Sequence, residues 1–370
     1  MSGYDRPGML DGEQWYRAPG RVNLIGDHTD YNEGLVLPVA IDLACTVRAR
    51  PRADGIVRVT SQDAEGVVDL AADGSTMPED VGPTWGRYAA GVVGTLAERG
   101  RPAVGLEAVV TSTIPLGAGL SSSAALEVAL ALALCDAADF ELPQLELALA
   151  CQAAEQVATG VPCGIMDQLT SLAGKHNHAL LIDCQSLEIT PIRLPPGLAV
   201  LILHSGTSRQ LMESAYAERR EACESLAALL GLTSLREATP EQVADEPRGR
   251  HVVSENARVL EAAGALEAGD VETLGALLNE SHHSLRDDFE VSTPELDALV
   301  DALRAAGALG ARLTGAGFGG CVVGVADRNV AERIVETAAG RYWASSGHMP
   351  RAYVFRGVDG AERIPAQALR

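Results

Sequence analysis

The segment PLGAGLSSSAALEVALALAL, Pro115 to Leu134, limits the architecture of this chain more than any other: a strand has to end at a glycine-rich turn, and three serines have to open a helix of alanine and leucine. Gly117 and Gly119 let the backbone come close to a ligand, and the free amides at a helix N-terminus attract an anion. Ser121, Ser122 and Ser123 add hydroxyl donors, one of them suited to a magnesium ion that bridges phosphates. A serine cap on a flexible turn is the plainer reading of the same residues. Three familiar phosphate-binding arrangements do not fit. A dinucleotide fingerprint wants a third glycine where Ser122 stands and an acidic residue closing the next strand, whereas Asp136 and Asp139 follow a helix. A Walker loop wants a lysine before the serine, and a protein kinase wants one in a VAIK-like strand; Lys175, the single lysine beside 28 arginines, serves neither.

The formal charge of −21 sets a field that repels nucleic acid and anionic lipid, so any phosphate must be held locally. With 370 residues, 47% apolar and 21% charged, the chain is long enough for one large or two ordinary globular cores. The cysteines at 45, 135, 151, 163, 184, 223 and 321 form no CxxC pair and read as buried thiols of a reducing compartment. MSGYDRPGMLDG lacks the basic and apolar regions of a secretory signal. The longest apolar run, Val128 to Cys135, falls far short of the roughly 20 residues that cross a bilayer. A cytoplasmic protein with neither membrane nor nucleic-acid partners is expected.

Strands and helices alternate without repeats. Strands are expected at Leu35 to Ile41, Ala44 to Arg48, Gly55 to Thr60, Gly105 to Thr113 and Ala179 to Asp183, and helices over about 84–98, 121–138, 144–157 and 164–173. QSLEITPIRLPPG, with three prolines, marks the best domain boundary, so the division is 1–189 and 190–370. Beyond it, Leu198 to Leu203 reads as a buried strand, Ser292, Thr293 and Pro294 as a helix start, and Cys321 to Val325 and Ala352 to Phe355 as strands. The architecture is α+β in two lobes, with a site between them.

Two further stretches carry chemistry. In AAEQVATGVPCGIMDQLTS, a Gly-Val-Pro-Cys-Gly break separates Glu155 from Asp167 and puts Asp167 at a helix start, where its charge is favoured and its carboxylate can face a cleft. Phosphoryl transfer would use both, Glu155 on magnesium and Asp167 on the acceptor hydroxyl; the plainer alternatives are a helix cap or buried salt-bridge partner for Asp167 and a solvated helix face for Glu155. GRVNLIGDHTDYNEG, Gly20 to Gly34, crowds Arg21, Asp27, His28 and Asp30 around a short apolar run. TGAGFGGC, from Thr314, suits a tight turn near the cleft, and the adjacent His282 and His283 face different ways on a helix, which argues against a metal pair.

Together GRVNLIGDHTDYNEGLVLP, PLGAGLSSSAALEVA, GVPCGIMDQ with HALLIDC behind it, SHHSLRDDFEVSTPELD and TGAGFGGC closely resemble the galactokinase family of GHMP kinases, in order from about residue 16 to residue 325. The resemblance implies an N-terminal domain with a left-handed βαβ element, a ferredoxin-like C-terminal domain, and ATP and sugar in the cleft between them. It implies transfer of the γ-phosphoryl group of MgATP to the anomeric hydroxyl of galactose, by a monomer or weak homo-oligomer. On the matching positions, Gly117, Ala118, Gly119, Leu120, Ser121, Ser122 and Ser123 would wrap the phosphates, Ser123 and Glu155 would hold magnesium, and Asp167 would be the catalytic carboxylate with Arg21 as its cationic partner. Asp27, His28, Thr29, Asp30, Gly164 and Tyr216 would contact the sugar, and Ser61 and Trp85 would line the nucleotide pocket.

Three departures stand out. Asp27 replaces the family's usual glutamate, HSGTSRQ (204–210) replaces an asparagine-rich turn before Tyr216, and Ala316 stands where the family has glycine, which implies a less permissive loop. The first two leave open a related sugar 1-kinase, for N-acetylgalactosamine or L-arabinose. A nonenzymatic sugar- and ATP-binding regulator is disfavoured by the intact serine loop and catalytic carboxylate.

Overall fold

The first strand is the element least apparent from the sequence, because Pro19 and Gly20 argue against a strand interior. In the structure, a computed structural model that describes residues 12–115, 117–207 and 212–365, β1 nevertheless spans Gln14–Asn23. A bulge between Pro19 and Arg21 absorbs both residues. Residues 1–11, Leu116 of the glycine–serine turn and Ser208 to Gln210 of the HSGTSRQ segment lie outside the described residues.

After β1 the chain forms β2, Leu35–Val36, and then β3, Pro38–Arg52. The two strands expected at Leu35 to Ile41 and Ala44 to Arg48 are therefore divided differently. β2 leaves for a small sheet, and β3 runs without a break through Asp42, which is exposed and stands opposite the β1 bulge. β4, Ile56–Ser61, and β5, Val67–Ala71, form an antiparallel pair. Helix α1, Gly86–Glu98, then crosses to β6, Gly105–Ser112, which lies parallel to β4 and antiparallel to β3. This parallel β4–α1–β6 crossover is the βαβ element of the first lobe.

Three helices follow: α2 Ser122–Ala137, α3 Gln144–Thr159 and α4 Met166–Ala173. α2 packs on β1 and β3, and Ala125, Val128, Ala129 and Leu130 are among its fully buried residues. β7, His178–Asp183, pairs with β2 and with β8, Ile189–Arg193. The proline-rich segment is thus partly an edge strand, where Pro191 removes no needed hydrogen bond.

The second lobe begins with β9, Leu198–His204, and the helices α5 Met212–Leu230, α6 Pro247–Ala268, α7 Val271–Asp287 and α8 Pro294–Ala306. Thr293 caps α8 by accepting from the Leu296 amide, with Pro294 in the first turn. β10 Gly310–Thr314, β11 Cys321–Asp327, α9 Ala331–Ser346 and β12 Arg351–Phe355 complete an antiparallel sheet in the order β10-β11-β9-β12, the ferredoxin-like arrangement.

The chain then returns: β13, Glu362–Ile364, pairs with β1 and gives the first sheet the order β13-β1-β3-β6-β4-β5. A continuous apolar core joins Val22, Leu24 and Val128 to Val200, Ile202, Val259 and Val323. Sheet membership changes between β8 and β9, and this core joins both lobes. The seven cysteines are free thiols, five of them buried. Among the described residues no helix is long and apolar enough to cross a membrane.

Candidate active site

The β1 bulge fixes the centre of the site. A Cβ on Gly20 would come within 2.5 Å of the Leu120 carbonyl, so only glycine lets the strand lie this close to the serine loop. The Arg21 amide donates to that same carbonyl at 3.2 Å, and its side chain is turned towards α4. There Nε donates to Asp167 Oδ1 and Nη2 to Asp167 Oδ2, both at 2.7 Å, while Nη1 donates to the Gly119 carbonyl at 2.7 Å. This bidentate pair holds both planar groups in one orientation, and the Ser121 hydroxyl adds a third donor to Asp167. Asp167 remains open enough, at 23% side-chain exposure, to meet a ligand.

The pair lies at a cleft of about 480 Å³ between the lobes, bordered on one side by the serine loop and on the other by the loop after β1. Gly117, Gly119, Ser121, Ser122 and Ser123 line it. Ala118 and Leu120 do not: both are buried, and their carbonyls accept from Cys321 Sγ and the Arg21 amide. These two side chains and carbonyls anchor the loop to β1 and β11, because alternate residues of the loop face the core. Ser121 adopts a left-handed conformation, φ 58°, before the first turn of α2.

Ser123 Oγ donates to Glu155 Oε1 at 2.6 Å, and both residues face the cleft. Burial pushes the Glu155 carboxyl up, and the negative Asp167 adds to this. A hydroxyl and a carboxylate, the latter also accepting from the Cys163 thiol at 3.8 Å, suit a hard cation that keeps phosphate and water oxygens as its other ligands. Among the described residues no group of three or more acidic, histidine or cysteine side chains could hold a metal ion by itself. Ser61 and Trp85 line the same cleft; the Trp85 indole donates to the Glu65 carbonyl at 3.0 Å.

The opposite wall comes from the GDHTD loop. Gly26 turns it at φ 98°, and His28 follows at φ 64°. Asp30 packs so tightly on Gly164 that a Cβ there would stand 1.9 Å from Asp30 Oδ2. Burial, then the negative Asp167, raise Asp30 to about 7. His28 Nδ1 lies 2.9 Å from the Tyr31 hydroxyl, and its ring leans on Tyr216 and Phe289 at 5.8 and 4.7 Å. Burial, with His251 nearby, lowers His28 to about 3, so the ring is neutral. His28, Asp30, Gly164 and Tyr216 all border the cleft.

Two further residues of this loop are engaged within the protein. Thr29 is fully buried, and its hydroxyl reaches the Gly26 and Leu35 carbonyls at 2.8 and 2.7 Å, closing the loop on itself. Asp27 borders the cleft, but its carboxylate is engaged by Asn23 Nδ2 at 2.9 Å, the Gly315 amide at 3.1 Å and Arg312 Nη2 at 2.6 Å. Glycines of the TGAGFGG turn need their freedom, since φ is positive from Gly315 to Gly320 except at Ala316. Alanine at 316 therefore adds no strain, contrary to the sequence-based expectation.

Residues without a local motif complete the frame. Arg312, alone among apolar neighbours in β10, also donates to the Leu24 carbonyl at 3.0 Å. Glu255, fully buried on α6, accepts from the Gly26 amide at 3.0 Å and from Ser281 at 2.6 Å. Burial works against its charge, but Arg258, His251 and Arg312 hold it down at about 2. His251 Nε2 lies 3.1 Å from the Asp27 carbonyl. The sign available in the sequence was, for Arg312, a lone charge between Ala311 and Leu313; nothing singled out Glu255 or His251 among the other polar residues of α6.

A cleft walled by a serine-rich helix start, a carboxylate–arginine pair and a polar clamp defines a small-molecule kinase of the GHMP type. The family models agree: residues 9–51 match the galactokinase galactose-binding signature, 87–175 the GHMP kinases N terminal domain and 262–344 the GHMP kinases C terminal model. The chain is 46% identical over 363 residues to a galactokinase of Roseiflexus sp. (strain RS-1), covering 94% of this chain and 92% of that one. It superposes with a TM-score of 0.90 on the crystal structure of Lactococcus lactis galactokinase complexed with galactose, at 34% identity and 96% coverage of both chains. The Methanococcus jannaschii mevalonate kinase, at 20% identity, TM-score 0.70 and coverage of 94% and 99%, shares the fold. The chain belongs to the GHMP kinases and, within them, to the galactokinase family.

Proposed function

We propose that this chain transfers the γ-phosphoryl group of ATP to the anomeric hydroxyl of galactose, giving galactose 1-phosphate and ADP. The observation that carries the reading is the bidentate Arg21–Asp167 pair, set where the serine loop meets the GDHTD loop. The resemblance to a galactose-complexed galactokinase supplies the sugar.

Phosphoryl transfer asks a protein for alignment and for charge stabilisation more than for covalent work. Asp167 accepts the proton of the attacking hydroxyl, and Arg21 keeps its carboxylate in the plane needed for that transfer. Arg21 carries a permanent charge and offsets the negative charge that spreads over the phosphoryl oxygens. Asp30, His28 and Tyr216 hold the sugar, and Gly164 leaves room for it beside Asp30. The amides and hydroxyls of the serine loop hold the phosphates. Ser123 and Glu155 would hold magnesium, which supplies charge neutralisation across the phosphates when bound. Acting in the cytoplasm as a monomer or weak homo-oligomer is part of this reading.

A coupled ADP-release assay with galactose, N-acetylgalactosamine, L-arabinose, glucose and mannose tests it. Galactose should be the preferred acceptor; folded protein that releases no ADP with any of them would overturn the kinase reading.

A further inference from the structure

Glu127 lies in α2 with no exposure to solvent, although nothing in the mechanism above uses it. Its Oε2 accepts from Gln168 Nε2 at 3.2 Å, while Oε1 has no hydrogen-bond partner. Gln168 is equally buried, one residue beyond Asp167 on α4. Its Nε2 also donates to Glu155 Oε2 at 2.6 Å, and its Oε1 is likewise without a partner. Both amide hydrogens of Gln168 thus have carboxyl acceptors, and two buried acceptors, one on each side chain, are bare.

Buried acceptors left bare on adjoining side chains call for an explanation. One proton supplies it. A hydrogen on Glu127 Oε1, donated to Gln168 Oε1, satisfies both atoms and closes a cyclic acid–amide pair. Burial, with the neighbouring Glu155, pushes the Glu127 carboxyl well above its usual range, in the same sense. Held at both ends, the Gln168 amide cannot flip. Its Nε2 stays on Glu155 Oε2, which leaves Glu155 Oε1 turned to Ser123 and the cleft.

We propose that Glu127 and Gln168 are positioning residues for Glu155, with Glu127 acting through Gln168 as an uncharged acid that fixes the orientation of the metal-binding carboxylate. This rests on the reading of Glu155 as a magnesium ligand.

The test measures Mn2+ binding to the protein in complex with a non-hydrolysable ATP analogue, alongside the Mg2+ dependence of turnover and the thermal midpoint. Glu127→Gln, which can make both bonds of the cyclic pair as an amide, should bind Mn2+ within about twofold of the parent. Glu127→Leu and Gln168→Leu should weaken Mn2+ binding by about tenfold or more, the range typical of lost outer-shell support, with kcat largely recovered at saturating Mg2+. Native Mn2+ affinity in folded Glu127→Leu or Gln168→Leu would overturn the proposal. So would a Glu127→Gln protein as impaired as Glu127→Leu, because that requires a charged Glu127. If Glu127→Leu fails to fold, Gln168→Leu and Glu127→Gln still decide the matter. Unchanged Mn2+ binding in Glu155→Gln would overturn the metal reading itself, an outcome distinct from the others.

Discussion

Asp27 and Arg312 form an ion pair of 2.6 Å in which the side chains keep 3% and 0% of their exposure. The pair ties the loop that follows β1 to the turn that follows β10, since Asp27 also accepts from the Gly315 amide. A buried pair need not outperform apolar packing, but removal of one partner leaves the other charged and dry. Arg312→Met should lower unfolding free energy by about 3 kcal/mol, read by chemical denaturation. Asp27→Asn, which retains a hydrogen-bond acceptor, should cost less. A stability loss below ~1 kcal/mol in Arg312→Met would remove the pair from the frame of the site.

Asp167→Asn and Arg21→Ala should each reduce kcat by at least ~100-fold with the fold intact, the scale of a lost positioned acid–base group. Arg21→Lys should recover little, because an ammonium cannot span both carboxylate oxygens and the Gly119 carbonyl at once. Circular dichroism and steady-state kinetics on the purified variants check this. Near-normal turnover in Asp167→Asn would contradict the assignment.

Gly164→Ala drives a methyl group into the space of Asp30 Oδ2. Asp30 must move, since the clash is with its carboxylate and the Gly164 backbone is held between α3 and α4. Overpacking of this kind costs about 1–3 kcal/mol, so the KM for galactose should rise about tenfold or more, with a smaller change in the KM for ATP. Equal effects on both substrates would place Gly164 outside the sugar wall.

Asp30 gives the site a pH dependence of defined sign. Burial and the negative Asp167 raise it from 3.8 to about 7, with Asp27 acting the same way and Arg21 and the Tyr31 amide opposing. Between those two values the native chain holds a proton that the unfolded chain has lost. Stability therefore falls as pH rises through this window and stays lower above it. Asp30→Asn should raise the melting temperature at pH 8 and have little effect near pH 4. If the ionised carboxylate accepts a sugar hydroxyl, galactose binding at pH 6.5 should release a proton, visible as a buffer-dependent heat in calorimetry and absent in Asp30→Asn.

The sequence announced polar clusters flanked by glycine, and it did so for a physical reason. Arg21, Asp30, Gly164, Asp167 and Ser123 lie near glycines at a strand bulge, a tight turn or the first turn of a helix, where segments pack closely, and glycine spacing records that need. Motif membership did not reveal which way a side chain turns. Thr29, Ala118 and Leu120 lie within the right stretches and face inward. Arg312 and Glu127 stood out only as lone charges in apolar runs, and Glu255 and Gln168 not at all among the polar residues around them; the partner of each is chosen only by tertiary packing. β1 escaped notice for the opposite reason: Pro19 and Gly20, which argue against a strand, build the bulge that turns Arg21 towards Asp167.

The pairing of Trp15, Tyr16 and Arg17 with Ile364, Arg363 and Glu362 brings together residues far apart in the sequence. β13 thereby covers the outer edge of β1, the strand that carries Arg21. Without β13 that edge would present a row of unpaired backbone amides and carbonyls, open to pairing with other chains. The segment that returns from the second lobe is thus a guard against self-association of the first.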